Sequence, residues 1–225
     1  MSMPLTKKEL DNYWNILQSN LTNLKLDIDF PHETIYDEIE PFLDNFVVHR
    51  ANYSNGGWKS LTLHGTDVTV TTSKASTHFN WTTMADICPE TKYYFDKVWP
   101  QPKHRRVRWM LLEPGGSINP HTDSEDNLLG DAVNFCITQP NNCDFTIGGE
   151  VIPWKPGDVR LLNLSYTHEV HNKSNKRRLH MIYHGKDTRC GRLSNYNKHI
   201  GKTYEDGDFT PLWVRLVNKS FQKYG

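Results

Sequence analysis

Short runs of apolar and β-branched residues, separated by turn residues, dominate the chain from about residue 106 onward. Runs of this length between Gly, Pro, Asn and Asp predict strands, and they fall at 106–112, 132–138, 143–147, 150–154, 158–163, 167–171 and 178–184. Upstream, polar and apolar residues alternate over 67–72, which predicts one further strand. Strands grouped apart from the helices predict a mainly β protein rather than an alternating α/β sheet.

Helical patterns flank these strands, and they predict helices over 6–21, 33–43, 89–99 and from 211 onward. In the first helix, Thr6 and Glu9 have the spacing of a capping box. The apolar positions that follow share one helical face: Leu10, Tyr13, Trp14 and Leu17. In the last helix, Thr210 is placed as the N-cap and Pro211 as the first helical residue.

Composition narrows the class of protein. The chain has 225 residues, and 26 Lys and Arg balance 26 Asp and Glu, so the charge gives no reason to expect a nucleic acid or an anionic membrane as partner. No apolar run approaches the roughly 20 residues that span a bilayer, and the N-terminal residues lack the apolar core of a signal peptide. Four cysteines without CxxC spacing indicate neither a zinc site nor a disulfide framework. We therefore expect a cytoplasmic protein, and the oligomeric state is left open.

The motif that carries chemistry is His121-Thr122-Asp123, followed downstream by His168. A His-X-Asp and a distant His are the sequence pattern of the 2-His-1-carboxylate facial triad of non-haem Fe(II) oxygenases. Two imidazoles and a carboxylate hold Fe(II) on one face and leave cis positions open for a co-substrate and O2. Because one residue separates His121 from Asp123, both side chains point to the same side of a strand.

The surroundings of these residues support a metal site, although the identity of the distal histidine stays open. A Pro-Gly-Gly turn precedes His121, and a turn and a strand lead to the segment around His168. Ligands at the ends of short strands suit a double-stranded β-helix, a jelly-roll barrel whose mouth holds the metal. However, the chain has 11 His, and His171 competes with His168 as the distal ligand. His180 and the other nearby histidines are expected on the surface or behind the ligands.

At these residues the chain resembles the aspartyl/asparaginyl β-hydroxylase family of Fe(II)/2-oxoglutarate oxygenases, which includes bacterial proline cis-hydroxylases. The pattern Pro-Gly-X-X-Ile/Val-X-Pro-His-Thr/Arg-Asp/Gly matches Pro114 to Asp123. The pattern His-X-Val-X-Asn, followed by Arg, matches His168 to Asn172 and then Arg178. The segment Gly56 to Leu61 also looks like the family's region ahead of the barrel, so the resemblance covers roughly residues 45–185.

The resemblance implies a metal site and a co-substrate site. His121, Asp123 and His168 would bind Fe(II), and Asp123 is the ligand type of the proline hydroxylase branch. Arg178 would bind the distal carboxylate of 2-oxoglutarate through its guanidinium fork. Arg177 would take that role if the register shifted by one residue, and by itself the run 173–178 is typical of a solvated basic turn.

The resemblance also implies the fold, the reaction and one departure. We expect a mainly β, double-stranded β-helix barrel with flanking N- and C-terminal helices. It would form one oxygenase domain over 1–225, with a helical part at about 1–50, a barrel core at about 56–185 and a helical extension at about 186–225. The reaction would be hydroxylation of an unactivated C–H bond, with 2-oxoglutarate as co-substrate. The family often has Arg-X-His where this chain has Asn134, which could donate one hydrogen bond to a bound carboxylate.

The substrate prediction rests on strand residues expected to face the barrel interior or its mouth: Arg106, Arg108, Trp109, Trp154 and Arg160. A buried Arg usually has a carboxylate partner. The substrate is therefore expected to carry a carboxylate, as a free amino acid or an acidic or peptidyl side chain. Alternatively, Arg106 and Arg108 form a surface ladder.

Two other classes remain in view. A non-enzymatic cupin-like barrel that binds a metal or a small molecule would share the fold without needing Arg178. A halogenase is disfavoured because such enzymes usually lack the carboxylate that Asp123 supplies.

Overall fold

The computed structural model describes residues 3–70, 78–101, 104–123, 129, 132–185 and 210–225. Its α-helices are α1 (Lys7–Leu17), α2 (His32–Ile39), α3 (Met84–Ile87), α4 (Pro89–Tyr93) and α5 (Pro211–Tyr224). Two 3₁₀ helices, Glu40–Asn45 and Ala51–Tyr53, and a π-helical turn, Tyr94–Val98, lie between them. No helix in these ranges combines the length and apolar character needed to cross a bilayer.

The strands form two antiparallel sheets. The larger sheet contains β1 (Asn23–Lys25), β2 (Val47–Val48), β3 (Trp58–Gly65), β4 (Asn80–Trp81), β5 (His104–Leu112), β7 (Ala132–Thr138), β10 (Val159–Leu162) and β12 (Arg178–Gly185). Its order is β1-β10-β7-β12-β5-β3-β2, with β4 beside β3. The smaller sheet contains β6 (Ser117–His121), β8 (Cys143–Ile147), β9 (Glu150–Val151) and β11 (His168–Asn172), in the order β6-β11-β8-β9.

Strand alternation divides the core into two layers. Side chains on one face of the larger sheet, such as Trp109 and Phe135, pack with residues of the helices, such as Trp14 and Trp213. Side chains on its other face pack with those of the smaller sheet. Met110, for example, belongs to one buried cluster with Phe145 and Val170. Because successive strand residues point to opposite faces, every second position of β5, β7 and β12 faces the space between the sheets.

The terminal helices pack against each other on the outer layer. Thr6 caps α1, because its Oγ1 accepts a hydrogen bond from the Glu9 N–H at 3.2 Å and the Glu9 carboxylate accepts one from the Thr6 N–H at 2.7 Å. Trp213 in α5 donates from Nε1 to the hydroxyl of Tyr13 in α1 at 3.0 Å. Arg215 bonds Glu9 at 2.7 Å. Both helices therefore stabilise the sheet from the side opposite the barrel interior.

The predicted fold class is confirmed: two facing antiparallel sheets form the barrel, and helices flank it. Both predicted caps, at Thr6 and Thr210, are present. The first helix ends earlier than predicted, at Leu17, where Gln18 leaves the helical conformation. The predicted region 186–209 lies outside the described residues.

Several strand predictions were wrong. Residues 67–70 do not form a strand: they bend back so that Val68 O accepts a hydrogen bond from the Thr62 N–H, and residues 71–72 are not described. The predicted strand 150–154 ends at Val151. Conversely, β3 was not predicted, although polar and apolar residues alternate from Ser60 to His64. In the structure its polar positions are buried together with its apolar ones. Finally, Trp109 faces the helices rather than the barrel interior.

Candidate metal centre and anion site

The ends of two neighbouring strands bring the His-X-Asp motif and the distant His together. His121 is the last residue of β6, and His168, the first residue of β11, is its partner across the ladder. Nε2 of His121 lies 4.0 Å from Oδ1 of Asp123, and Nε2 of His168 lies 3.9 Å from Oδ2. One donor atom from each of the three residues can be chosen so that all three atoms lie within 4.8 Å of one another.

The backbone sets the orientation of both imidazoles. Nδ1 of His121 lies 2.7 Å from Asn119 O, and Nδ1 of His168 lies 3.2 Å from Tyr166 O. Since a carbonyl can only accept, each Nδ1 carries the hydrogen and each Nε2 keeps its lone pair for a metal ion. Burial, and then the charge of His121, lower the pKa of His168, which favours the neutral form that binds metals.

The donor set fits a metal ion of the imidazole- and carboxylate-binding class. Two donors on one ion, each at about 2.1 Å, lie no more than about 4.2 Å apart, so both His–Asp separations suit a shared ion. The side chains of His121 and His168 are each 7% exposed, whereas that of Asp123 is 38% exposed. An ion here would thus be held by the barrel wall and remain open on its outer side.

The structure brings one of the two candidate distal histidines into the cluster. His168 lies in the cluster, because its position in β11 points into the barrel. The side chain of His171 points to the other face and lies 2.8 Å from the Glu169 carboxylate.

Two residues at the edge of this centre were not predicted. Nη1 of Arg50 lies 3.5 Å from Oδ1 of Asp123, and the Tyr53 ring lies 5.1 Å from the His121 ring. Arg50 has φ +47°, a conformation that non-glycine residues seldom adopt. The Asn55 side chain ties this segment to the turn before β6, by donating to Gly115 O at 2.9 Å. No sequence pattern marks Arg50; the only signal was that the segment directly precedes the family-like stretch that begins at Gly56.

Arg178 is buried between the sheets in the same interior. Its Nη2 lies 2.9 Å from Nδ1 of His180, and its Nε lies 3.3 Å from Oε1 of Gln139. The Phe145 ring contacts the Arg178 guanidinium, at 5.5 Å, and lies 6.4 Å from the His168 ring. Arg178 is therefore separated from the histidine centre by about one aromatic ring.

Arg178 lacks an acidic partner in the described ranges, where none of the ion pairs includes it. Burial lowers the pKa of Arg178, which reflects the cost of holding a charge away from water. A buried cation without a counter-charge is strongly destabilising unless an anion joins it. Arg177, the alternative anchor, points outward and forms ion pairs with Asp44 at 2.6 Å and Glu113 at 2.9 Å.

The model of the family described as aspartyl/asparaginyl β-hydroxylase matches residues 30–187, well over half of the chain and including all the residues above. The chain belongs to the aspartyl/asparaginyl β-hydroxylase family. The family resemblance predicted from the sequence is thereby confirmed. No curated protein sequence matches this chain.

Solved structures support the fold of this β-hydroxylase family member. An oxidoreductase of the 2OG-Fe(II) oxygenase family from Burkholderia pseudomallei is similar at 13% identity and a TM-score of 0.52, over 78% of this chain and 92% of that one. A prolyl-4-hydroxylase from Pseudomonas putida is similar at 11% identity and a TM-score of 0.44, over 80% and 97% of the two chains. Only the first TM-score is above 0.5, so only that likeness bears on the argument. At 13% identity it shows the fold alone.

Among the predicted substrate residues of this family member, Arg106 and Arg108 lie on the inward face of β5. Arg108 is 5% exposed and pairs across the sheet with Thr62 and Ile182. Burial, and then the charges of Arg106 and Arg50, lower the pKa of Arg108 to about 9, while the charge of Asp123 opposes the shift. The three arginines therefore form one positively charged group beside the carboxylate of the metal centre.

Trp154, predicted for the substrate, and Asn134, predicted as a donor to a bound carboxylate, lie with Arg178. The Trp154 ring is 4.9 Å from the His180 ring and 6.1 Å from the Phe145 ring. Oδ1 of Asn134 is 3.3 Å from Nδ1 of His180. Arg178 lies near the start of β12, whereas Arg106 and Arg108 pair with residues nearer its end. His121 and His168 lie on the smaller, facing sheet.

Asn172, which ends the family pattern that begins at His168, has a structural role. The Asn172 amide donates to the carbonyl oxygens of Leu112, Glu113 and Lys176 at 2.8–3.1 Å. It holds the turn that leads into β12, and thereby the start of the strand that carries Arg178.

Proposed function

We propose that this protein is an Fe(II)- and 2-oxoglutarate-dependent dioxygenase that hydroxylates an unactivated C–H bond of a carboxylate-bearing substrate. The observation that carries the proposal is the pairing of two features within one barrel interior. One is the His121, Asp123 and His168 cluster with both Nε2 lone pairs turned inward. The other is the buried Arg178 near it, for which no described acid supplies a counter-charge.

Each protein group has a stated task. His121, Asp123 and His168 would hold the iron through two imidazole nitrogens and a carboxylate. Arg178 would bind the distal carboxylate of 2-oxoglutarate with a fork of N–H donors. When bound, iron and 2-oxoglutarate supply the oxidising power: O2 converts 2-oxoglutarate to succinate and CO2 and leaves one oxygen atom for the C–H bond of the substrate.

The barrel supplies position and a dry interior. Phe145, Trp154 and Ile147 are buried between the sheets around this space, so the co-substrate carboxylate would meet Arg178 away from water. Exclusion of water strengthens that ion pair and limits side reactions of the oxidant.

The substrate class rests on the second arginine group. Arg106 and Arg108 point into the barrel, and Arg50 stands at its edge beside Asp123. Positive charge on this side favours a substrate with a carboxylate, as a free amino acid or an acidic or peptidyl side chain. No nucleic acid or membrane is part of the proposal.

The experiment measures Fe(II)-dependent conversion of 2-oxoglutarate to succinate, with and without pools of free amino acids and short peptides. We expect slow turnover without substrate, which an amino acid or peptide with a free carboxylate accelerates. The variants His121→Ala and Arg178→Gln should abolish or sharply reduce turnover. Arg177→Gln is the matched control, because that guanidinium faces outward and should leave turnover near the wild-type rate.

A different outcome would favour the second class. If the protein neither turns over 2-oxoglutarate nor binds it in the presence of Fe(II), the proposal fails and a non-enzymatic cupin-like barrel becomes the better description. That class, however, gives no role to the buried cation of Arg178.

A further inference from the structure

His180 lies next to Arg178 on the inward face of β12, and it is fully buried. Its ring is in contact with three polar side chains: Arg178 at 2.9 Å, Gln139 at 3.1 Å and Asn134 at 3.3 Å. The Trp154 ring stands edge-on to it at 4.9 Å. A histidine with all its polar atoms engaged inside a barrel has a defined tautomer, and the contacts identify it.

The guanidinium of Arg178 decides the tautomer. A guanidinium has only N–H donors, so Nδ1 of His180 must accept the hydrogen bond from Arg178 Nη2. The hydrogen of the neutral ring is then on Nε2, which donates to Oε1 of Gln139. Gln139 Oε1 also accepts from Arg178 Nε. The three side chains therefore close a hydrogen-bonded ring. Oδ1 of Asn134, 3.3 Å from Nδ1 of His180, is an acceptor and makes no hydrogen bond to that lone pair.

This ring restricts the orientation of Arg178. The two contacts use one N–H of Nη2 and the N–H of Nε, out of five in the guanidinium. Three N–H groups, on Nη1 and Nη2, remain for another acceptor, and a pair of them can bind a carboxylate in a bidentate manner. Burial and the charge of Arg178 also hold the pKa of His180 well below its usual range, so the ring stays neutral beside the cation.

We propose that neutral His180, supported by Gln139, is a positioning residue that holds the Arg178 guanidinium in the orientation that receives the distal carboxylate of 2-oxoglutarate. The inference rests on the proposed function. His180 touches neither the metal cluster nor the reacting atoms, so it should govern co-substrate affinity and leave the chemical step unchanged.

The test is calorimetric titration of the Mn(II)-loaded protein with two ligands. One is the co-substrate 2-oxoglutarate, and the other is 2-oxopentanoate, which has the same chain length and lacks the distal carboxylate. In His180→Leu we expect co-substrate binding to weaken on the order of tenfold, while the affinities for 2-oxopentanoate and for Mn(II) stay within about twofold of wild type. His180→Asn keeps an acceptor near the position of Nδ1 and should recover part of the affinity.

A second variant covers the case in which the buried substitutions do not fold. Gln139 is only partly buried, and Gln139→Glu places a carboxylate where Oε1 now contacts Arg178. This carboxylate should compete with the distal carboxylate of 2-oxoglutarate and weaken its binding selectively. Gln139→Leu, without the charge, should weaken it less.

Two results would overturn the inference. One is an unchanged affinity for the co-substrate in His180→Leu and Gln139→Glu. The other is an equal loss of affinity for both ligands, which would mean that the variants disturb the barrel in general. If wild-type protein showed no binding of the co-substrate in either assay, the proposed function itself would fail, and that result is distinct because it needs no variant.

Discussion

Nη1 of Arg50 lies 3.5 Å from Oδ1 of Asp123, so the carboxylate of the candidate metal centre forms an ion pair with a cation at the edge of the barrel. The side chain of Arg50 is 28% exposed, and its guanidinium lies 5.9 Å from the Tyr53 ring. The contact links the candidate metal centre to the arginine group on the proposed substrate side. Replacing Arg50 should therefore change both metal affinity and substrate affinity.

Replacing Arg50 should affect metal and substrate in opposite directions. Arg50→Gln removes a positive charge near the ion, so we expect Mn(II) affinity to rise by a few-fold, on the order of 1 kcal/mol at most for a partly exposed charge. The same variant should raise the KM for a carboxylate-bearing substrate. Metal titration and steady-state kinetics at two salt concentrations would measure both effects. Arg50→Lys, which keeps the charge, is the control. Weaker metal binding in Arg50→Gln would instead indicate that Arg50 chiefly orients Asp123.

Arg108 should determine substrate affinity without affecting the co-substrate. Truncating one partner of a buried charge pair costs about 2–5 kcal/mol, so Arg108→Gln should lower kcat/KM for an accelerating carboxylate substrate by more than tenfold. The KM for the co-substrate should change little, because Arg178 lies elsewhere in the interior. Kinetics with each of the two compounds varied in turn would test this. An equal rise of both KM values would contradict separate sites for the two compounds.

The helix pair at the termini should contribute acid-sensitive stability. The hydrogen bond from Arg215, the first of the causes, lowers the pKa of Glu9 to about 2 from its usual 4.5. Because the folded pKa is depressed, this contribution is present above pH 4.5 and is lost as the pH falls toward 2. Solvent screening of the partly exposed pair limits it to less than about 1 kcal/mol. Urea unfolding at several pH values should show that Glu9→Gln loses stability at neutral pH and differs little from wild type near pH 2.

Trp213 should support the fold without taking part in the reaction. Its side chain is 1% exposed, and it packs against Trp99 with ring centroids 5.6 Å apart, in the outer layer. Trp213→Ala leaves a large cavity and should lower the free energy of unfolding by about 3–5 kcal/mol. The KM values measured with the folded variant should match those of wild type. A selective change in the KM for the co-substrate would show that α5 is coupled to the barrel interior.

The His121, Asp123 and His168 cluster could be proposed from the sequence because its chemistry is visible at close spacing, and its role in binding a metal stays a prediction. His121 ends β6, and Asp123 follows it after one residue, in a bend whose Asp123 N–H donates to Leu164 O at 3.0 Å. His168 required more: His171 was equally suitable from the residues alone, and the family pattern favoured His168. The structure agrees for a physical reason, since strand parity turns His168 inward and His171 outward.

The surroundings of Arg178 were only partly predictable. Arg178 and Arg177 are adjacent in a basic run, and the register of β12 turns one into the barrel and the other toward Asp44 and Glu113. Trp154 was expected on the substrate side, a role that stays a prediction, and its ring lies beside His180. Strand periodicity places His180 on the same face as Arg178, two residues away, but nothing in the sequence marked Gln139 as their partner, because 41 positions separate it from His180.

Local patterns along the chain thus specified the caps at Thr6 and Thr210, most of the strands, and the His-X-Asp motif, because each depends on neighbours within a few residues. Long-range register specified the rest. The bend that carries Arg50 to Asp123, the burial of β3 on both faces, and the ring of Arg178, His180 and Gln139 all join segments far apart in the chain. Such contacts depend on which strands pair and which faces they bury, and no single segment contains that information.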